Sequence, residues 1–218
     1  MINPPPKVFV VDDDSAMRDS LAFMFTATGV PVETHASAES FLAVAQPELR
    51  GCLVLDLRMP RMSGLELHRQ LRSQGVRLPV IILTAHGDVP TAVDEMKLGA
   101  FDFLAKPVNR DRLLRRVREA LDADRTRQQQ DDETADLRRK LATLSPRELQ
   151  VMDRVAQGHA NKKIAFELGL SERTVANHRA HLMEKIGGGN TADLVRKLAL
   201  VGRAGPAPGG LSADEQRS

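Results

Sequence analysis

Five short apolar runs separated by helix-period segments fill residues 7–121 and admit few folds. KVFVV, VETH, CLVLD, PVIILTA and FDFLA are rich in Val, Ile, Leu and Phe and read as strands. Between them apolar residues recur at helical spacing. Met17, Leu21 and Met24 lie within 15–28, and Phe41, Leu42 and Ala45 within 38–46. Leu67 and Leu71 lie within 64–73, and Val89, Val93 and Met96 within 89–98. Leu114, Val117 and Leu121 continue the alternation with a fifth helix. The middle strands are apolar at consecutive positions, so both faces are buried, as in a parallel sheet covered by helices on each side. Five such units predict an α/β domain, a doubly wound five-stranded parallel sheet. A closed α/β barrel needs about 250 residues, and the alternation stops well short of that.

In sheets of this kind ligands sit beyond the carboxyl ends of the strands. The first strand ends in Asp12 and Asp13, the third in Asp56 and the fourth in Thr84, while the fifth leads to Lys106. Three carboxylates facing one crevice repel one another unless a cation joins them. Oxygen-only ligation suits a hard divalent ion, best Mg2+, which takes few carboxylates and keeps several waters. The same ion neutralises an incoming phosphoryl group, a lysine opposite adds positive charge, and a threonine hydroxyl donates to a phosphoryl oxygen. Asp56 is then placed to act as a nucleophile that forms an aspartyl phosphate. Asp14 is predicted to do something else, capping the first helix. His86 is read as shaping the loop HGDVP, where Asp88 caps the next helix, and His68 as a surface residue.

From 122 to 140 the chain turns polar without Gly or Pro, DADRTRQQQDDETADLRRK, and reads as a helical, solvated linker. Leu137, Leu141 and Leu144, within and just after it, can line a helix pair or pack on the next domain. The remainder is helical. Ser145, Pro146 and Glu148 make a capping box with Pro at the first helical position. A short helix at NKKIAFELG, with Ile164, Ala165 and Leu168 inward, meets the turn Gly169-Leu170. Ser171 then caps ERTVANHRAHLMEKI, which stops at three glycines, and a last helix spans about 191–201. Residues 204–218, rich in Gly and Pro where they begin, are predicted to be a disordered tail.

Charge separates the two halves. Residues 1–121 carry 15 basic and 15 acidic side chains, whereas residues 145–203 carry 10 basic and 6 acidic, so only the second half points to a polyanion. Seven Phe with no Trp or Tyr argue against a base-stacking platform for single strands. No apolar stretch approaches the roughly 20 residues of a membrane span, and MINPPPK has no apolar signal core. These features predict a cytoplasmic protein with no membrane partner. The single cysteine, Cys52, lies in an apolar run and is expected in the core.

The set Asp12-Asp13, Asp56, Thr84 and Lys106-Pro107 resembles the receiver domain of bacterial two-component response regulators. VDDDSAMRDSLAFM, DLRMPRMSGLEL, TAHGDVPTAV and MKLGAFDFLAKP resemble the FixJ type more narrowly. The resemblance implies a flavodoxin-like fold with Asp56 as phosphoacceptor. It implies Mg2+ on Asp13, Asp56 and the backbone carbonyl of Arg58, with Asp12 reaching it through water. Lys106 would pair with the phosphoryl group, and Thr84 and Phe103 would form a switch pair. A sensor histidine kinase is the implied partner, and phosphorylation the trigger for a homodimer. A haloacid-dehalogenase phosphatase would read Asp-x-Asp-x-Thr after the first strand, but that frame here is Asp12, Asp14, Ala16. An unphosphorylated pseudo-receiver would not keep all five residues.

The stretch from LSPREL through KIAFELGLSERTVANHRAHLMEKIG resembles the four-helix LuxR/NarL-type helix-turn-helix, here about 161–186. It implies double-stranded promoter DNA and RNA polymerase as partners. On a helical wheel Val175, His178, Leu182 and Ile186 share one face, with Arg173, Asn177, Ala180 and His181 opposite. That outer face suits a major groove, where Asn reads adenine and Arg reads guanine. Lys162, Lys163, Thr174, Arg179 and Lys185 are expected to touch the DNA backbone. Ala176 and Ala180 stand where some relatives carry basic residues, so the face is lean. The expected layout is a receiver at 1–122, a linker at 123–141 and a DNA-binding domain at 142–203.

Overall fold

The structure is a computed structural model that describes residues 6–85 and 99–202. The chain divides into two compact units, Met1–Gln128 and Gln129–Ser218. The expected helix at 89–98, His86 and Asp88, and the tail at 204–218 lie outside the described residues.

In the first unit the strands are β1 (Lys7–Val11), β2 (Val32–His35), β3 (Gly51–Asp56), β4 (Val80–Thr84) and β5 (Asp102–Ala105). They form one parallel sheet in the order β2-β1-β3-β4-β5. Period-two alternation sends Phe9, Val11, Leu53, Leu55, Val80 and Ile82 to one face. There they meet Phe41 of α2 (Ala38–Leu42) and Leu67 and Leu71 of α3 (Gly64–Ser73). Val8, Val10, Cys52, Val54, Ile81 and Leu83 point the other way. They pack on Leu21 and Phe25 of α1 (Ser15–Ala27) and on Leu113 and Val117 of α4 (Arg110–Ala142). Each fully buried side chain of this size contributes roughly 1.5–3 kcal/mol. The two-faced core expected from the unbroken apolar runs is therefore present.

Two expectations change. Helix α2 ends at Leu42 rather than 46. Val44 N–H and Ala45 N–H turn back to Phe41 and Leu42 at 3.1 and 3.3 Å, and Pro47 disfavours helical backbone at Gln46. His68 is buried, 1% exposed, not on the surface. It lies on the same stripe of α3 as Gly64, Leu67 and Leu71, so the helical period itself turns it inward.

The strand order reverses direction between β1 and β3, and that switch point opens the crevice between their carboxyl ends. At the opposite end of the sheet, Asp124 of α4 is 2% exposed and accepts from the Gly51 N–H at 2.9 Å. Arg127 bonds the same carboxylate and Arg50 approaches it at 3.8 Å. Asp124 thus ties the start of β3 to α4.

The second unit is helical: the last turns of α4, then α5 (Pro146–Ala156), α6 (Asn161–Leu168), α7 (Glu172–Ile186) and α8 (Thr191–Leu200). Its core joins Val151, Met152, Ile164, Val175, Leu182, Ile186, Leu194 and Leu198. Leu137, Leu141 and Leu144 belong to this core, so they pack on the helical unit rather than lining a separate helix pair. Ser145 and Glu148 form the expected capping box. Gly169 ends α6 at φ +63°, a left-handed turn that glycine adopts at little cost and that redirects the chain into α7. No helix among the described residues is long and apolar enough to cross a membrane.

Candidate functional site

The crevice is built from strand ends. Asp12, immediately after β1, is 1% exposed, and Asp56, the last residue of β3, is 7% exposed. Asp13 is exposed beside them, and ligand oxygens of the three carboxylates lie within 4.8 Å of one another. Lys106, just beyond β5, bridges the two buried acids: its Nζ is 2.9 Å from Asp12 Oδ2 and 2.8 Å from Asp56 Oδ1. The Asp14 N–H donates to Asp12 Oδ1 at 2.9 Å, and Arg18 donates to the Asp12 carbonyl at 2.8 Å. Asp14 itself faces away and accepts from the amides of Ala16 and Met17, the helix cap expected of it.

Burial pushes the Asp56 carboxyl up, Lys106 pulls it down, and the charges of Asp12 and Asp13 push it up again, with a net rise. For Lys106, burial alone would lower the ammonium's pKa, but the bonds to Asp56 and Asp12 outweigh it and the net shift is upward. The crevice thus favours keeping a positive charge and penalises a further negative one. Three oxygen donors with one internal cation between two of them fit a hard divalent ion better than a soft one.

Thr84 closes β4 and is 6% exposed, and its carbonyl accepts from the Lys106 N–H at 2.7 Å, fixing β5's exit. The Lys106–Pro107 bond is cis. Phe103 on β5 is 40% exposed. Arg58 is exposed on the loop from β3 to α3. Residue types and strand ends alone do not reveal Gly64. It opens α3 behind Asp56, and a Cβ there would sit 2.4 Å from the Asp56 carbonyl oxygen. The Ser63–Glu66 capping box marks that helix start in the sequence, but the close approach is visible only in the fold.

In the second unit Val175, Leu182 and Ile186 of α7 are buried and His178 is half-buried, as the wheel predicts. Arg173, Ala176, Asn177, Ala180 and His181 are exposed together. Lys162, Arg173, Asn177 and His181 make no side-chain hydrogen bond or ion pair among the described residues. The other expected DNA contacts have partners within the unit. Lys163 lies 3.0 Å from His159 Nε2 and 3.9 Å from Glu167. Thr174 pairs with the Ser171 hydroxyl at 2.8 Å. Arg179 bonds Asn161 and Thr191. Lys185 Nζ is 2.7 Å from Glu148, which is 4% exposed. That bond, with the Ser145 amide, holds the Glu148 carboxyl down at about 2.

Known proteins resemble both units. Residues 8–118 match the response regulator receiver domain and residues 142–198 the luxR family of bacterial regulatory proteins. Transcriptional regulatory protein FixJ of Azorhizobium caulinodans is 45% identical over 197 residues, 90% of this chain and 93% of that protein. Nodulation protein W of Bradyrhizobium diazoefficiens is 43% identical, covering 89% of this chain and 86% of its own. The solved response regulator StyR is similar at 41% identity and a TM-score of 0.81, over 90% of this chain and 99% of that one. The chain belongs to the two-component response regulators, a transcription regulator whose receiver domain precedes a LuxR-family DNA-binding domain, and within them to the FixJ type. A receiver domain implies a histidine kinase as partner.

Proposed function

We propose that phosphorylation of Asp56 switches this regulator between weak and strong promoter binding. The observation that carries the reading is the Lys106 ammonium, held between Asp12 and Asp56 with a third carboxylate alongside. A carboxylate oxygen of Asp56 attacks the phosphorus of a phosphohistidine on the sensor kinase. The P–O bond forms as the P–N bond breaks, and the leaving imidazole keeps the electron pair and takes up a proton. Asp13, Asp56 and the Arg58 carbonyl would hold Mg2+, with Asp12 reaching it through water, and the bound ion would supply positive charge for the phosphoryl oxygens.

Lys106 exchanges its Asp56 contact for the phosphoryl group, and the Thr84 hydroxyl donates to a phosphoryl oxygen. Phe103 then turns inward into the space beside Thr84. That rearrangement favours a homodimer in the cytoplasm, and two DNA-binding domains engage paired half-sites with the gain that linkage gives. Arg173, Asn177 and His181 read the major groove, Lys162 and Lys163 contact phosphates, and the bound dimer activates transcription by RNA polymerase. In this reading residues 1–122 are the receiver, 123–141 the linker and 142–203 the DNA-binding domain.

The test treats the full chain with acetyl phosphate with and without Mg2+, and reads the acid-stable mass increase and the gel-filtration position. Wild type should gain one phosphoryl group only with Mg2+ and shift to a dimer, while Asp56→Ala should do neither. Dimerisation of Asp56→Ala on the same treatment would overturn the reading.

A further inference from the structure

Arg179 lies on the recognition helix but not on its outer stripe. Its guanidinium is half-buried and forked between two other helices. One amino nitrogen donates to Asn161 Oδ1 at 3.2 Å, and the other to Thr191 Oγ1 at 2.7 Å. Asn161 is the first residue of α6 and Thr191 the first of α8. Helix α6 starts behind Ala160, which makes no side-chain cap bond, so the bond from Arg179 is a side-chain tether at that helix end. A planar guanidinium can satisfy two acceptors in fixed directions at once, which a lysine ammonium on its flexible stem does poorly.

Two further cations secure the other end of α7. Lys185 reaches Glu148 of α5, and Lys197 of α8 donates to the Ile186 carbonyl at 3.3 Å and to that of Gly187. Arg179 is therefore the tether nearest the exposed stripe of Arg173, Asn177 and His181.

We propose that Arg179 is a positioning residue for DNA recognition: it ties α7 to the starts of α6 and α8 and so sets the angle at which the outer stripe meets the bases, without contacting phosphate. This rests on the DNA-binding reading of the second unit. A phosphate contact and a tether leave different marks. Removing a phosphate contact weakens all duplexes alike and lowers the salt slope of log K by about 0.9 per contact. Removing a tether leaves the slope and weakens only the duplex whose bases are read.

The experiment uses the full chain treated with acetyl phosphate and a duplex recovered by wild type from a random-sequence pool. A scrambled duplex serves as the control. Dissociation constants are measured by fluorescence anisotropy from 50 to 200 mM salt. Arg179→Lys, Asn161→Ala and Thr191→Val should each bind the selected duplex several-fold to about tenfold more weakly, the size expected when one base-reading side chain is misaligned. Each should bind the scrambled duplex as wild type does, with an unchanged slope. Asn161→Ala combined with Arg179→Lys should cost less than the two separately, as for partners in one bond. Asn161→Ala and Thr191→Val remove the acceptors while keeping the arginine, so they remain informative should an Arg179 variant fold poorly.

Wild-type affinity for the selected duplex in Arg179→Lys, or a slope reduced by about one per DNA-binding domain, would overturn the tether and leave DNA binding intact. Full affinity in both acceptor variants would do the same. Recovery of no duplex by wild type would instead overturn the DNA-binding reading itself.

Discussion

The acidic crevice and the recognition helix use charge in opposite ways. In the crevice, like charges are drawn together at strand ends, two of them buried, and a single lysine bridges the buried pair. The net effect is unfinished electrostatics, with the Asp56 carboxyl raised by burial despite that lysine. On α7, by contrast, two of the three Arg and Lys side chains are paired off internally. Arg179 and Lys185 face acceptors within their own unit, and the outward stripe keeps Arg173 and His181 with Asn177 between. A count of basic residues therefore overstates the DNA-facing charge, whereas the acids of the crevice do gather where their strand ends place them, within 4.8 Å of one another. Partnering, rather than composition, separates a site that binds from a surface that is held.

The largest effect should come from filling the space behind Asp56. Gly64→Ala places a Cβ 2.4 Å from the Asp56 carbonyl oxygen, with Leu57 Cα 3.1 Å away, so backbone must move. Overpacking of this kind costs about 1–3 kcal/mol. Urea denaturation should show the first unit weakened by that amount, and acetyl phosphate labelling should slow. An unchanged midpoint and rate would mean that the crevice does not depend on this close approach.

A smaller effect, with a definite pH signature, is expected at Glu148. Its carboxyl is held at about 2 against an ordinary 4.5, first by Lys185 and then by the Ser145 amide. A depressed acid contributes stability above its unfolded pKa, and that contribution is lost as pH falls through the folded value. The pair should therefore weaken between about pH 4.5 and about pH 2. Asp193, also held at about 2 by Arg196 and the Gly189 amide, titrates in the same window. The quantity to follow is thus the difference between wild type and Glu148→Gln. At neutral pH the variant should be less stable by roughly 1 kcal/mol, since the partner lysine is partly exposed and screened. The difference should vanish toward pH 2, and a difference that persists there would deny the pair its role.

The smallest change sharpens the contrast with Arg179. Lys162 is exposed at the first turn of α6 and has no partner among the described residues. Lys162→Ala should lower the salt slope by about 0.9 per DNA-binding domain and weaken selected and scrambled duplexes equally. A change in sequence preference instead would move Lys162 into the group that reads bases.

Much of both regions is legible in the sequence because it is local. Apolar periodicity, capping signals and the lack of Gly and Pro from 122 to 140 together predict five strands and, among the described residues, every helix, although Pro47 and the turn after Leu42 shorten α2. Asp14, Ser145 and Ser171 cap as their sequence context predicts, since each acts on amides two or three residues away. The burial of His68 is written there too, in the stripe that runs through Leu67 and Leu71. The carboxylates of the crevice are legible because strand ends in a parallel sheet converge.

What only the tertiary structure decided is who partners whom across long separations. Lys106 meets Asp12 over 94 residues of chain, Asp124 meets the Gly51 amide over 73, and Lys185 meets Glu148 over 37. Arg179 divides between helix starts on either side of it in sequence. By itself the sequence determined the strands and caps, and which residue types gather at the sheet's carboxyl edge, because these follow from short-range periodicity and hydrogen-bond geometry. A long cationic side chain can reach in many directions, and packing of distant elements alone decides which acceptor it finds.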